Sequence, residues 1–141
     1  MGGISPKEYK AIEHRIQQSY LHLNTIAITG TNGKSTTTSM IASIVQASGE
    51  SYAKMTTLGA EVNQQIIDEQ DPLFRYLHTV ETSVASKVKT LAIEVTSKSL
   101  ATGFAQRWPP QVAVFTNLSR DHLDMHKSPE GYLAAKSQLF M

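Results

Sequence analysis

The chain has 141 residues, 40% of them hydrophobic, which suits one globular domain with a real core rather than several domains. Its 13 basic and 12 acidic residues leave a net charge of +1, so we expect neither nucleic acid nor an anionic membrane as a partner. The lack of cysteine excludes disulfides and thiolate metal sites, and no apolar run has the length of a signal peptide or membrane span. We therefore expect a cytoplasmic protein.

Helices alternate with strands along the chain. Ser5 and Glu8 form a capping-box pattern around Pro6, which predicts the start of a first helix. In chain order, the predicted elements are a helix over 6–21, a strand over 25–29, a helix over 34–47, a strand near 51–56, a helix over 71–87, a strand over 90–95, a helix over 97–106, a strand over 111–116 and a helix over 128–140. Residues 63–70 are polar and ambiguous, since they indicate neither a helix nor a strand. The alternation predicts an α/β fold with a mostly parallel sheet flanked by helices.

The predicted organisation is a helical lead-in over residues 1–24 and one domain over residues 25–141. The last predicted helix runs into Met141 without a glycine or proline stop signal. We therefore expect the domain to be incomplete at its C-terminal end.

A glycine-rich turn between the first strand and second helix is the strongest functional signal. It reads Gly30-Thr31-Asn32-Gly33-Lys34-Ser35, here called the phosphate loop. Glycines let backbone N–H groups surround an anion, and the helix N-terminus adds free donors. Lys34 would contact the β- and γ-phosphates of ATP, and the Ser35 hydroxyl would contact Mg²⁺. The alternative is an ordinary glycine-rich turn, and the strict P-loop pattern would need a glycine in place of Ile28.

Two further predicted strands are followed by polar and charged residues that could bind a ligand. Glu94 ends the strand over 90–95, and Thr116 to Asp124 follows the strand over 111–116. Parallel strands share one carboxyl edge, so these segments should meet the phosphate loop there. Alone, Glu94 would be a surface acid, but beside the phosphate loop it is predicted to bind Mg²⁺. His122 and His126 have helical spacing for zinc, but without further ligands we favour no zinc site.

Lys136 lies on the apolar face of the last helix. It shares that face with Tyr132, Ala135 and Leu139. A lysine there can be functional, or it can extend along the apolar surface to reach solvent. The sequence leaves both possibilities open.

Together these segments resemble the Mur ligases. The matching stretches run from Gly30 to Thr36, from Glu94 to Ser97, from Thr116 to Asp124 and from Tyr132 to Phe140. The similarity is greatest to the MurE type, which adds the third residue of the peptidoglycan stem peptide. It implies a P-loop-type central ATP-binding domain and ATP-dependent, ADP-forming synthesis of an amide bond through an acyl phosphate.

The resemblance also implies residue roles. Lys34 would stabilise the transferring phosphoryl group, while Glu94 would hold one Mg²⁺ with Ser35 and a second with His122. Lys136 corresponds to a lysine that carbon dioxide carbamylates. The implied nucleotide-binding residues are Gly30, Thr31, Asn32, Gly33, Lys34, Ser35, Thr36 and Asn117. The implied ligands are ATP, Mg²⁺, a UDP-muramyl peptide and an amino acid.

The sequence departs from the family in several places. The family's N- and C-terminal domains have no counterpart in it, so we expect them to act in cis or in trans. Lys98 stands where the family has histidine, and the nearest counterpart of its Thr-Thr-Pro substrate loop is Thr79-Val80-Glu81. The alternatives are a ligase like folylpolyglutamate or cyanophycin synthetase, or a non-catalytic ATP-binding module. The amino acid that would be added is not indicated.

Overall fold

The computed structural model describes residues 5–119 and 128–141 and confirms the predicted fold class. The helices are α1 (Pro6–Ser19), α2 (Lys34–Ala47), α3 (Pro72–Ala85), α4 (Ser97–Ala101), α5 (Phe104–Arg107) and α6 (Pro129–Ser137). The strands are β1 (Asn24–Thr29), β2 (Tyr52–Thr56), β3 (Gly59–Val62), β4 (Gln65–Ile66), β5 (Thr90–Glu94) and β6 (Val112–Phe115). Short 3₁₀ turns follow α1 and α6.

The six strands form one sheet in the order β4-β3-β2-β5-β1-β6. Neighbouring strands from β2 to β6 pair in parallel, whereas β3 and β4 add an antiparallel hairpin at the far edge. Strand β1 therefore lies between β5 and β6, with Ile28 opposite both Glu94 and Val114. This order brings the ends of the three strands predicted to carry functional residues next to one another.

The hydrophobic core lies mainly on one face of the sheet. Helices α1, α3, α4 and α5 contribute to it, with Tyr76 and Trp108 as its largest members. Because parallel crossovers are right-handed, α2 covers the opposite face, where it buries Thr38 and Ala42. The α2 face is thinly covered, since Met40 and Ile44 remain largely exposed.

The segment that precedes β1 shares this core. Ile16, Tyr20 and Leu23 are at most 3% exposed. The Tyr20 hydroxyl also donates a hydrogen bond to the carbonyl of Pro109. The predicted lead-in is thus packed against the domain that follows it.

Three parts of the predicted secondary structure were wrong. The β3–β4 hairpin was missed because its strands are short and its turn, Asn63-Gln64, uses positive φ angles without a glycine signal. The predicted helix over 97–106 is divided into α4 and α5, because Gly103 adopts a φ of +87° between them. The last helix ends at Ser137 rather than continuing to Phe140.

Within residues 5–119 and 128–141, no helix has both the length and the apolar character needed to cross a membrane.

Candidate active site

The phosphate loop is shaped by contacts to its three successive carbonyl groups. The Gly30 carbonyl accepts a hydrogen bond from Lys136 Nζ at 2.8 Å, and the Thr31 carbonyl accepts one from Lys34 Nζ at 3.0 Å. The Asn32 carbonyl accepts hydrogen bonds from the segment after β6, at 2.7 and 3.0 Å. All three carbonyls thus have donors. The first N–H groups of α2 lack intrahelical acceptors, and the N-cap Gly33 offers no side-chain acceptor.

Asn117 fixes this loop through three hydrogen bonds. Its side chain accepts a hydrogen bond from the Asn32 N–H and donates one to the Asn32 carbonyl, both at 3.0 Å. Its own carbonyl accepts the Thr31 N–H at 2.9 Å. Two loop N–H groups are therefore already satisfied, which leaves Gly33 and the start of α2 as the backbone donors best suited to an anion. Asn117 was predicted as a nucleotide-binding residue, and these contacts give it a direct role in positioning the loop.

Gly30 is required by the close approach of the segment that follows β6. Its φ is +142°, and a Cβ atom there would lie 1.9 Å from Thr116 Oγ1 and 3.1 Å from the backbone N and O of Asn117. Gly33, with a φ of +84°, faces open space. The two loop glycines therefore serve different purposes: close packing at Gly30, and a left-handed backbone that starts α2 at Gly33.

Ser35 and Glu94 meet at the end of β5. The Ser35 hydroxyl donates to Glu94 Oε2 at 2.6 Å, and the backbone N–H of Thr57 donates to the same oxygen at 3.1 Å. The pair offers two hard oxygen ligands, which fits Mg²⁺, because this ion commonly binds one or two carboxylates together with phosphates and water. Among the described residues no group of three His, Cys, Asp or Glu side chains could hold a metal. His122, the predicted second ligand, lies outside the described residues, as does His126.

Lys136 is 1% exposed, so its ammonium group does not reach solvent along the apolar face. Besides Gly30, Nζ contacts Thr29 Oγ1 at 3.4 Å and lies 4.6 Å from the centre of the Tyr132 ring. Burial, and to a smaller extent the charge of Lys34, lowers the pKa of Lys136 to about 8. Among the described residues it forms no ion pair with a carboxylate.

Helix α6 also holds the loop through Tyr132. The Tyr132 hydroxyl lies 3.0 Å from Thr31 Oγ1, which accepts the backbone N–H of Ser119 at 3.0 Å. Thr31 thereby connects the phosphate loop to α6 and to the segment after β6. Thr36 lies one turn further into α2, where it is exposed.

Three adjoining cavities share Glu94 as a wall residue. The first has a volume of about 370 Å³, lies beside the phosphate loop, and is lined by Lys34, Lys98 and Lys136. The second, here called the α3-side cavity, has a volume of about 360 Å³ and is lined by Arg75 and Lys98 among other residues. The third, about 440 Å³, has an aromatic floor formed by Tyr76, Phe104 and Trp108. All are large enough for parts of a small-molecule substrate.

Sequence reasoning missed some of these wall residues and misplaced another segment. Arg75 carries no sequence signal, and Thr57 contributes only a backbone N–H, which no side-chain pattern reveals. Thr79-Val80-Glu81 is not a loop: it lies within α3, where Thr79 is fully buried and its hydroxyl donates to the Arg75 carbonyl at 2.6 Å.

A family model of the Mur ligase middle domain matches residues 28–141. Among curated relatives, the UDP-N-acetylmuramoyl-L-alanyl-D-glutamate--2,6-diaminopimelate ligase of Syntrophomonas wolfei is 38% identical over 122 residues, which are 84% of this chain and 25% of the relative. The ligase of the same name from Pseudomonas putida is 36% identical over 122 residues, covering 84% and 24%. The chain thus spans about a quarter of the length of these relatives.

Solved structures show the same fold. A structure of a UDP-N-acetylmuramoyl-L-alanyl-D-glutamate--2,6-diaminopimelate ligase superposes with a TM-score of 0.77 at 30% identity, covering 91% of this chain and 27% of that one. Escherichia coli FolC in complex with DHPP and ADP gives a TM-score of 0.69 at 19% identity, covering 91% and 38%. At that identity the second likeness concerns the fold alone.

The packing of Gly30 against the segment after β6 leads to a stability prediction. Gly30→Ala should lower the free energy of unfolding by more than about 2 kcal/mol, because backbone strain adds to the clash with Thr116 and Asn117. Gly49→Ala is the matched control: its φ is +82°, but no atom lies within 4 Å of the added Cβ. Its cost should be only the ~1 kcal/mol of a left-handed alanine. Urea unfolding followed by circular dichroism measures both, and equal losses would show that the close approach does not matter.

Proposed function

This chain belongs to the Mur ligase family, and we propose that it is the ATP-binding part of an ADP-forming amide-bond ligase that adds an amino acid to a UDP-N-acetylmuramoyl peptide in peptidoglycan synthesis. The observation that carries the proposal is the convergence of Lys34, Glu94 and Lys136 on one cavity beside a loop with free N–H donors. In this proposal residues 25–141 are the central domain. Because the chain spans a quarter of its relatives' length, ligation would need flanking domains in cis or in trans.

The chain's own residues would bind the nucleotide through backbone donors and one lysine. The N–H groups at the start of α2 would donate to phosphate oxygens, and the helix dipole would favour the negative charge. Lys34, which now donates to the Thr31 carbonyl, would turn towards the γ-phosphate. The nucleotide site would be bordered by Gly30, Thr31, Asn32, Gly33 and Thr36. Asn117 would hold these residues of the phosphate loop in position.

Ser35 and Glu94 would bind Mg²⁺, and Glu94 with His122 would bind a second Mg²⁺. When bound, these ions would neutralise phosphate charge during transfer. For Ser35 to become a ligand, its hydroxyl must release the hydrogen bond that it now donates to Glu94. Thr57 would keep the carboxylate oriented meanwhile, since its backbone N–H bonds the same oxygen.

The proposed reaction has two steps. A substrate carboxylate oxygen attacks the γ-phosphorus of ATP, and the bond from that phosphorus to the bridging oxygen breaks, which releases ADP. The amine nitrogen of the incoming amino acid then attacks the acyl carbon, phosphate leaves, and the nitrogen loses a proton. The chain contributes position and charge to the first step, which are the main terms in phosphoryl transfer.

Two other functions are possible for a chain with this fold. A ligase of the folylpolyglutamate type shares the fold, but its solved structure is 19% identical to this chain, whereas that of the muramyl-peptide ligase is 30% identical. The other alternative is a non-catalytic ATP-binding module, but the cluster of Lys34, Glu94 and Lys136 favours catalysis. Phosphate release from ATP by the chain supplemented with the flanking domains, with and without a muramyl peptide, separates the three functions.

Loss of the Lys34 ammonium group should weaken nucleotide binding. Lys34→Ala removes a charge-assisted contact to phosphate, so the affinity for ATP should fall roughly 10- to 150-fold, or about 1.5–3 kcal/mol. The control is Lys89→Ala. Lys89 is exposed and lies just before β5, at the N-terminal end of that strand, whereas the phosphate loop lies at the C-terminal ends of the strands. Calorimetric titration with ATP measures both variants. If Lys34→Ala binds as tightly as the wild type, Lys34 does not contact the phosphates.

Loss of the Glu94 charge should affect the response to magnesium rather than nucleotide binding itself. In Glu94→Gln, the gain in ATP affinity on adding Mg²⁺ should shrink by at least about tenfold, a loss typical of damage to a metal site. Glu50→Gln serves as the control, since Glu50 is exposed beyond the C-terminal end of α2. Titrations with ATP in EDTA and in Mg²⁺ give this gain. An unchanged magnesium response would place the metal elsewhere.

Lys136 would act as a carbamate. Its neutral amine nitrogen would attack carbon dioxide to form an N–C bond and release a proton, which converts a cation into an anion. The anion would attract the Mg²⁺ ions that the ammonium group repels. Two features support this: Lys136 borders the cavity that contains Glu94, and its pKa of about 8 provides neutral amine at mildly alkaline pH.

Carbon NMR with labelled bicarbonate can detect this modification. Near pH 8 the wild type should show a carbamate resonance that strengthens with Mg²⁺ and is absent from Lys136→Met. Lys98→Met provides the comparison, because Lys98 borders the same cavity but is exposed. Identical spectra for the wild type and Lys136→Met would exclude carbamylation of Lys136.

A further inference from the structure

The phosphate loop contains the only asparagine–glycine pair in the chain. Asn24, Asn63 and Asn117 are followed by threonine, glutamine and leucine, whereas Asn32 is followed by Gly33. A backbone nitrogen can attack the side chain of a preceding asparagine, and a following residue without a Cβ atom hinders this attack least. Asparagine is also among the residues that heat degrades most readily. Of the four asparagines, Asn32 is thus the one that the sequence makes most prone to lose its amide group.

The structure leaves the reacting groups of this pair accessible. Asn32 and Gly33 are both exposed, and no atom lies within 4 Å of the position that a Cβ atom on Gly33 would occupy. Among the described residues, neither the Asn32 carboxamide nor the Gly33 N–H has a hydrogen-bond partner. Reaction between the two groups, and later attack by water, would therefore need no unpacking of the core.

The backbone of Asn32, in contrast, is restrained by the segment after β6. Its N–H donates to Asn117 Oδ1 at 3.0 Å, and its carbonyl accepts from Thr116 Oγ1 at 2.7 Å and from Asn117 Nδ2 at 3.0 Å. For the Gly33 nitrogen to approach the Asn32 side chain, the peptide plane between the two residues must rotate, which breaks the bonds to the carbonyl. The reaction therefore has to wait for a local opening of these contacts.

We propose that Asn32 is a site of spontaneous deamidation that ends nucleotide binding by this chain, and that a bound nucleotide delays the reaction. The Gly33 backbone nitrogen forms a bond to Asn32 Cγ, its proton leaves with the amide group as ammonia, and a succinimide remains. Water then opens the ring at either carbonyl, which yields aspartate or isoaspartate. The chemistry depends on the pair alone, whereas its connection with the nucleotide rests on the proposed function.

Both products oppose the binding of a phosphate. Each places a carboxylate beside the Gly33 N–H and the start of α2, where the proposed site attracts anions. Isoaspartate also adds a methylene group to the backbone just before Gly33, the N-cap of α2, and so displaces the donors of the loop. A bound nucleotide acts in the opposite direction, because a phosphate oxygen that accepts the Gly33 N–H holds this nitrogen away from the Asn32 side chain.

One tryptic peptide contains both the site and an internal comparison. Cleavage after Arg15 and Lys34 gives residues 16–34, which include Asn32 before glycine and Asn24 before threonine. After incubation of the nucleotide-free chain at mildly alkaline pH, mass spectrometry should find the change from amide to acid at Asn32 and not at Asn24. Hydroxylamine, which cleaves a chain at a succinimide, should cut it after Asn32. A saturating non-hydrolysable ATP analogue with Mg²⁺ should slow the conversion at least about tenfold, the factor for one hydrogen bond to a charged group.

Variants separate the local contacts from overall stability. Asn117→Ala removes two hydrogen bonds to Asn32, so conversion should be about five- to a hundredfold faster. Gly49→Ala is the control, because it strains the backbone away from the loop and should convert at the wild-type rate. Asn32→Asp carries the charge of the product and should bind the ATP analogue at least about fivefold more weakly, the effect of like charges a few ångströms apart in water. Circular dichroism verifies that each variant keeps the fold.

Three results would count against the proposal. Equal conversion of Asn24 and Asn32 in the nucleotide-free chain, or conversion of neither, would remove the deamidation site and leave the proposed nucleotide function intact. An unchanged rate with an ATP analogue that calorimetry shows to be bound would overturn the protection and place the phosphates away from Gly33. Failure of the wild type to bind the analogue would contradict the proposed function and the effect on the nucleotide, whereas conversion at Asn32 that Asn117→Ala accelerates would still establish the site.

Discussion

The fixed path of the phosphate loop is the constraint on which the rest of the site depends. To direct N–H groups towards an anion, the backbone must turn three successive carbonyls away from it, and each needs a donor. The donors come from three different elements: Lys136 from α6, Lys34 from α2, and Thr116 with Asn117 from the segment after β6. The loop is therefore a product of tertiary structure as much as of its glycines.

This constraint explains the position of β1 in the sheet. Only a strand between β5 and β6 can place its following loop beside both Glu94 and Asn117. It also explains the burial of Lys136, which would otherwise be costly for an ammonium group. A carbonyl at 2.8 Å and the face of Tyr132 offset part of that cost, and the remainder appears as the lowered pKa.

The hydrophobic core lies mainly on one face of the sheet, and this affects the walls of the candidate site. The face covered by α1, α3, α4 and α5 holds the large side chains, and it also forms the walls of two of the three cavities at Glu94. Packing on that face therefore sets the position of Arg75 and of the aromatic floor. Because Ile16, Tyr20 and Leu23 belong to the same core, residues 5–23, the described part of the chain before β1, support these walls without lining the cavities.

The sequence by itself determined the order of the main helices and strands and the α/β class, and it predicted the edge of the sheet where the candidate active site lies. These follow from local signals, namely β-branched runs, the glycine turn and capping residues, and from the rule that parallel strands share a carboxyl edge. Lys34, Ser35 and Glu94 could be singled out because their spacing from the ends of predicted strands is a local property. The short β3–β4 hairpin and the break at Gly103 escaped, since a few residues carry too little periodicity.

Only the tertiary structure decided which long-range contacts form. Asn117 and Asn32 are 85 residues apart, and no local pattern joins them. The burial of Lys136 depends on α6 crossing the loop, which the amphipathic pattern of one helix leaves open. Arg75 and Lys98 come together for the same reason: they lie on separate helices, and packing of those helices, rather than spacing along the chain, places both at one cavity.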